Sequence, residues 1–253
     1  MTEQKPFPHT GGALGILDYG IGGLGTYRAI KARADIPVIY FSDSGFTPYG
    51  KVATAVLRKR LAHIFEFLYA QGARHIAVAC NAASCALPPD ENVEGIIRHG
   101  VKAIRSCGHE RIGLIGGEHT VRSGVYRRAL QADNFMLKQR IAQPLSRHVE
   151  EGRLEGETLN ADLEQILRPL RSSQAILLAC THYPAIARQI QSCLPPRTRL
   201  IDPSQHLADW ILENWRFAPR KTPDRWFTSG DAIKLAANGR RAFGVSINNP
   251  VHT

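Results

Sequence analysis

A chain of 253 residues with 43% hydrophobic content can bury a sizeable core, as one large domain or as two lobes of ordinary size. Its longest apolar stretches, Ile76 to Cys80 and Ala175 to Cys180, are far shorter than the ~20 residues a bilayer-spanning helix needs, so no membrane role is expected. A net charge of +10 raises a nucleic-acid partner, but the arginines are scattered: Arg58 to Arg60 holds no aromatic, and Arg216 to Lys221, beside Trp215 and Phe217, matches no nucleic-acid-binding module, which leaves a solvated basic surface that attracts anionic small molecules.

Met1 to Gly12 carries Lys5, two prolines and a glycine pair but no apolar core of a secretory signal, and a frayed, cytoplasmic start is expected. Leu14 to Leu17 reads as a strand ending at Asp18. Tyr19 to Gly23 forms a glycine turn, and a helix runs from Leu24 to Arg33. A second strand, Val38 to Phe41, ends at Ser42 and Asp43, and the loop Thr47 to Gly50 precedes an amphipathic helix from Thr54 to Gln71. Strands at Ile76 to Cys80 and Ile112 to Ile115 follow, with helices near Val93 to Ser106 and Ser123 to Gln131. Lys138 to Ala142, Ala175 to Cys180, Leu200 to Ile201 and Val245 to Ile247 read as further strands. Helices are expected over Leu159 to Arg171, Ala185 to Cys193, Gln205 to Asn214 and Asp231 to Gly239. This alternation predicts an α/β fold of βαβ units, with parallel sheets and functional groups at the carboxyl ends of strands. No low-complexity linker divides the chain. Two lobes would be joined by crossings near Glu94 to Arg98 and near Ala208, giving a first lobe of residues 13–97 plus 208–253 and a second of 98–207.

The five cysteines are odd in number and lack paired C-x-x-C spacing, which argues against a disulfide framework and against a metal site. Cys85, Cys107 and Cys193 read as small hydrophobes in packing faces. Cys80 and Cys180 differ, because RHIAVACNAAS (Arg74 to Ser84) and QAILLACTHYP (Gln174 to Pro184) read alike. Each is a buried strand that breaks at Ala, Cys and a small polar residue. Asp18, Asp43, Cys80 and Cys180, with His182 two residues beyond, should share one edge. A thiol leading into a helix is expected to feel the N-terminal dipole and free N–H groups, which lower its pKa. Two thiols from equivalent positions of two half-molecules could flank one carbon from opposite sides, the geometry that inversion of a stereocentre demands.

The strings DYGIGGL (Asp18 to Leu24), DSGFTPYG (Asp43 to Gly50), ACNAAS (Ala79 to Ser84), TVRS (Thr120 to Ser123), VEEG (Val149 to Gly152), CTHYP (Cys180 to Pro184) and TSGD (Thr228 to Asp231) resemble, in order, the motifs of the glutamate racemase family. The resemblance covers about residues 13 to 244. It implies a cofactor-independent amino-acid racemase of two pseudosymmetric α/β lobes, with the substrate in the cleft between them and a homodimeric assembly. It also implies interconversion of L- and D-glutamate, the D-isomer serving peptidoglycan and the cell wall. By the family pattern Cys80 and Cys180 address opposite faces of the α-carbon, one removing the proton as thiolate while the other delivers one as thiol. Asp18 would lie near the first thiol, and His182 with Glu150 near the second. Tyr49 and Gly50 through backbone groups, Asn81, Thr120, Thr181 and His182 match its substrate contacts. The plain structural readings are a turn carboxylate for Asp18, a helix-entry histidine for His182 and a solvated carboxylate for Glu150. The glycines Gly20, Gly22 and Gly23 fit neither the dinucleotide fingerprint nor the P-loop and read as a tight turn that lets backbone approach the cleft.

Two positions depart from the pattern. Tyr19 stands where a serine is usual, and Ala82 where a threonine is usual, and both positions normally offer the substrate a hydroxyl. A missing hydrogen bond to a charged group costs roughly 1.5 to 3 kcal/mol. Aspartate or another amino acid is therefore the nearest alternative substrate, and a non-catalytic, partner-binding protein that kept the fold is the alternative of a different class. A single-thiol decarboxylase would need only one of the two cysteines.

Overall fold

The computed structural model of the chain describes residues 11–217, 219 and 221–253; the expectations for Met1 to Thr10, and for Ala218 and Arg220 in the basic run, lie outside them. Its strands are β1 (Ala13–Asp18), β2 (Val38–Ser42), β3 (Ala73–Val78), β4 (Val93–Gly95), β5 (Arg111–Gly116), β6 (Met136–Ile141), β7 (Ala175–Ala179), β8 (Arg199–Ile201), β9 (Arg225–Thr228) and β10 (Val251–His252). They form a six-stranded sheet in the order β10, β9, β2, β1, β3, β4 and a four-stranded sheet in the order β6, β5, β7, β8. All neighbouring pairs are parallel. The fold is α/β, with two parallel sheets flanked by helices. The run β2, β1, β3, β4 is repeated element for element by β6, β5, β7, β8, so β3 and β7 occupy the same place in the two halves.

Parallel strands buried on both faces read as near-continuous apolar runs, with alternate residues serving opposite cores. Leu14, Ile16, Val38 and Tyr40 join a central core that reaches Ile176 and Leu178 of the second sheet. Leu17, Ile39 and Phe41 face a separate core completed by Leu57, Leu61, Ile64 and Leu68, the apolar stripe of the helix Thr54–Ala70. Ile112, Leu114, Ala175 and Leu177 face a third core with Val101 and Ile104 of the helix Ile97–Arg105. The two sheets thus share one packed middle layer. Where the chain crosses between them, the helices Ile97–Arg105 and Pro203–Asn214 pack on each other.

Several expected elements shift. The third strand lies at Ala73–Val78 rather than 76–80, so Cys80 stands beyond it as the residue preceding the short helix Asn81–Ser84. Val93–Gly95 is a strand rather than the start of a helix, because it pairs with Ile76 to Val78 at the edge of the first sheet. The helix expected over Ser123 to Gln131 is shortened to Val125–Ala129, and Gly124, with a φ of 67°, separates it from a further helix, Glu118–Arg122. Val245 to Ile247 is not a strand; both end residues are buried as an apolar plug after the helix Ala232–Phe243, and the last strands are β9 and β10. Trp215 and Phe217 pack against His75, Trp215 stacked at 4.5 Å and Phe217 edge-on at 5.9 Å, so these rings are core rather than a base-stacking platform. All five cysteines are free thiols, and among the described residues no helix is long and apolar enough to cross a membrane.

Candidate active site

In an α/β sheet, ligands bind beyond the carboxyl ends of strands where the chain switches direction across the sheet. Here the first switch falls between β1 and β3 and the second between β5 and β7. Asp18 ends β1, Cys80 follows β3 and Cys180 follows β7 directly. A cavity of about 610 Å³ is lined by both Cys80 and Cys180, together with Tyr19, Tyr49, Gly50, Asn81, Ala82, Thr120, Glu150, Thr181 and His182. Every expected site residue except Asp18 lies on its wall. Asp18 is fully buried behind Thr181, whose hydroxyl donates to Asp18 Oδ2 at 2.9 Å.

The two thiols sit in different surroundings. Burial pushes the Cys80 thiol well above its ordinary value, with the Asp18 carboxylate and Cys180 adding to the rise and the Ala83 and Tyr19 N–H groups opposing it. The expected lowering by the helix dipole is therefore overturned at Cys80: the helix Asn81–Ser84 is a single turn, and desolvation outweighs it. Burial likewise lifts Asp18 to about 6, against the His182 charge, the Gly20 N–H and the Thr181 hydroxyl, which favour its carboxylate.

Cys180 faces a relay instead. Its Sγ lies 3.5 Å from His182 Nδ1, and His182 Nε2 is hydrogen-bonded to Glu150 Oε1. Burial alone would lower His182, but the Glu150 carboxylate overcomes it and holds the imidazole well above its usual value. Burial would raise Glu150, yet the His182 charge, their hydrogen bond and the Ile21 N–H keep it below the ordinary range. Both shifts favour an imidazolium beside a carboxylate, a state in which both imidazole nitrogens carry protons. Glu150 is thus no solvated carboxylate: Ile21 N–H donates to it at 2.9 Å from the other half of the chain.

The glycine turn makes that approach possible. A Cβ on Gly20 would fall 1.6 Å from Glu150 Oε1, and one on Gly22 would fall 2.3 Å from Thr181 Oγ1. These two glycines let the turn after β1 lie directly on the second half-site.

Of the expected substrate contacts, Asn81 is the most telling. Its Oδ1 accepts from the Tyr126 hydroxyl at 2.7 Å, and its Nδ2 is buried without a protein partner. Buried amide donors are almost always satisfied, so an unpartnered one on a residue that lines the cavity is a candidate donor to a ligand. Thr181 is engaged with Asp18, and Thr120 reaches the Cys85 thiol. Tyr19 donates to Phe46 O at 3.1 Å and packs edge-on against Tyr49 at 5.2 Å, so its phenol is turned away from the cavity's donors.

The helix Gln143–Glu150 has no counterpart among the expected elements, and it supplies more of the wall than Glu150 alone. Gln143, Arg147 and Glu150 share one of its faces, and His148, hydrogen-bonded to Asp162 at 2.8 Å, also reaches the cavity. The i, i+4, i+7 spacing of 143, 147 and 150 is the signal that could have placed them together. Lys51 and His119, from the two halves, also line the cavity.

Comparison with known proteins places this geometry among relatives. The sequence profile of the family described as Asp/Glu/Hydantoin racemase matches residues 26–210. The chain is 33% identical over 238 residues to a glutamate racemase of Gloeobacter violaceus, covering 88% of this chain and 89% of the relative. Its structure is similar to a glutamate racemase isoform of Bacillus anthracis, with TM-score 0.87 and 24% identity over 97% of this chain and 98% of the other. It is also similar to the glutamate racemase of Thermus thermophilus in complex with beta-chloro-D-alanine, with TM-score 0.83 and 27% identity over 96% of each chain.

Proposed function

The chain belongs to the Asp/Glu/Hydantoin racemase family, and from that premise we propose that it interconverts L- and D-glutamate by a two-thiol, two-base mechanism without a cofactor. The observation that carries this reading is the pair Cys80 and Cys180, delivered by equivalent strands of the two halves onto the walls of one cavity. They are near enough that charge on Cys180 raises Cys80.

In one direction the Cys180 thiolate removes the α-proton while the Cys80 thiol, kept protonated by burial and by Asp18, delivers its proton to the opposite face. The sulfurs exchange protonation states with each turnover, so the opposite enantiomer meets Cys80 as base and Cys180 as acid. The His182 imidazolium aims an N–H at Cys180, and Glu150 keeps that imidazolium charged. The Asn81 amide supplies a buried donor for the substrate carboxylate, where charge builds as the α-carbon loses its proton. Tyr49 and Gly50 form the facing wall and offer backbone donors.

One feature favours a second reading within the same chemistry. Ala82 brings no hydroxyl to the wall and the Tyr19 hydroxyl is spent on Phe46, so two donors usual in this family are missing and aspartate or another amino acid takes the place of glutamate. Incubating the purified protein in deuterated water with each enantiomer of glutamate, aspartate and a small amino-acid panel decides between them by loss of the α-proton NMR signal. Cys80→Ser and Cys180→Ser should each reduce racemisation by more than about a hundredfold, while Cys107→Ser leaves it intact. Full activity in either of the first two overturns the assignment, and silence of the wild type across the panel overturns the enzyme.

A further inference from the structure

Asp43 and the string Thr228 to Asp231 take no part in the two-thiol chemistry, yet they meet around one buried carboxylate. Asp43 has no exposed surface. It accepts from the Tyr49 hydroxyl at 2.8 Å and from the Ser229 hydroxyl at 2.8 Å. Arg60 of the helix Thr54–Ala70 adds Nε at 3.2 and 3.1 Å and Nη2 at 2.5 Å, the forked geometry that fixes a carboxylate in orientation as well as in place.

The backbone is stitched around the same point. Gly45 N–H donates to Ser229 Oγ at 3.1 Å, and Ser229 N–H donates to Ser42 O at 3.0 Å. A Cβ on Gly45 would fall 1.9 Å from Ser229 O, and one on Gly230 would fall 2.3 Å from Ser44 Oγ. Both glycines are therefore required for the two segments to lie against each other. The Arg60 guanidinium also covers the Phe46 ring at 5.2 Å, and Phe46 O is the acceptor for Tyr19. Residues 43–50 are thus held at their start, middle and end, and what they present to the cavity is Pro48, Tyr49 and Gly50. Asp43, Arg60 and Ser229 do not line the cavity themselves.

We propose that Arg60, Asp43 and Ser229 form a clamp of positioning residues that holds the wall carrying Tyr49 and Gly50 in place and thereby sets the affinity for the amino acid. The proposal rests on the racemase reading for its kinetic consequence. Contacts from backbone groups to an unreacting part of the substrate are equal in the ground and transition states, so their loss raises KM and spares kcat.

The test uses Arg60→Met, which keeps the aliphatic stem over Phe46, together with Arg60→Lys and Ser229→Ala. Arg60→Met should raise KM about tenfold with kcat changed less than about twofold, added guanidinium ion should restore KM, and Ser229→Ala should show a smaller rise of the same kind. Arg60→Lys, which keeps the charge and loses the fork, should fall between Arg60→Met and the wild type. Backbone amide exchange over residues 44–51 should accelerate in Arg60→Met and Ser229→Ala while that of β5 and β7 stays as in the wild type. An active variant with unchanged KM, a fall confined to kcat, or unchanged amide exchange over 44–51 overturns the clamp. Should the wild type exchange no α-proton at all, the racemase reading fails by itself, and the amide exchange still decides the clamp.

Discussion

Replacing Asp18 by asparagine probes the electrostatics of the first half-site in a way that can be worked through from burial. Asp18 is fully buried, and desolvation lifts its carboxyl from 3.8 to about 6. The native state thus binds a proton that the unfolded chain releases. Such a group gives stability that is fully present below the unfolded value of 3.8 and lost as pH rises through about 6. A shift of this size corresponds to about 3 kcal/mol. An asparagine side chain cannot ionise, keeps an oxygen for the Gly20 N–H and fills the same volume. Relative to wild type, D18N should gain about 3 kcal/mol of stability between about pH 4 and pH 7, measured by urea unfolding at steps across that window. The catalytic consequence has a definite sign as well. Asp18 helps to raise Cys80, so its removal should move the alkaline limb of the pH–rate profile to lower pH. A stability difference that does not vary with pH, with an unmoved alkaline limb, would refute the reasoning.

Gly22→Ala should cost about 1 to 3 kcal/mol and most of the activity, because the new methyl group would meet the Thr181 side chain and backbone across the seam between the halves. Gly25→Ala is the control: it lies in the helix Leu24–Lys31, its Cβ would find only ordinary contacts at 3.6 and 3.7 Å, and a gain of about 0.5 to 1 kcal/mol in thermal or urea unfolding is expected. Tyr19→Ser combined with Ala82→Thr should improve kcat/KM for glutamate by about tenfold to a hundredfold if the missing hydroxyls set specificity, and an unchanged preference across the amino-acid panel removes that account.

The parallel α/β architecture was legible because buried strands such as Leu14 to Leu17 and Ala175 to Ala179 are short apolar runs followed by Gly, Asp or Cys punctuation. β4 was not, since three residues at a sheet edge carry no periodicity of their own and are strands only through pairing with β3. Val245 to Ile247 misled for the converse reason: an apolar run records burial, and here burial comes from packing under a helix rather than from a ladder. Within the site, Cys80, Cys180, His182 and Asn81 could be read from matching strings. The protonation of Cys80 could not, because desolvation depends on how deeply the residue is enclosed once the halves meet. The wall formed by Gln143 and Arg147 was missed for want of a helix on which to place them.

The helix Ala232–Phe243 follows a strand of the first sheet, yet Asn238 Nδ2 donates to Glu150 O at 2.6 Å and Arg241 to Gly152 O at 3.3 Å. A stretch that the ribosome makes after both sulfurs therefore adds a second tie to the relay behind Cys180, which Ile21 holds from the turn after β1. A nascent chain halted before β9 would own the two thiols and neither the full first sheet nor this anchor. Turnover would then be a property acquired late in translation, once that helix has emerged and docked.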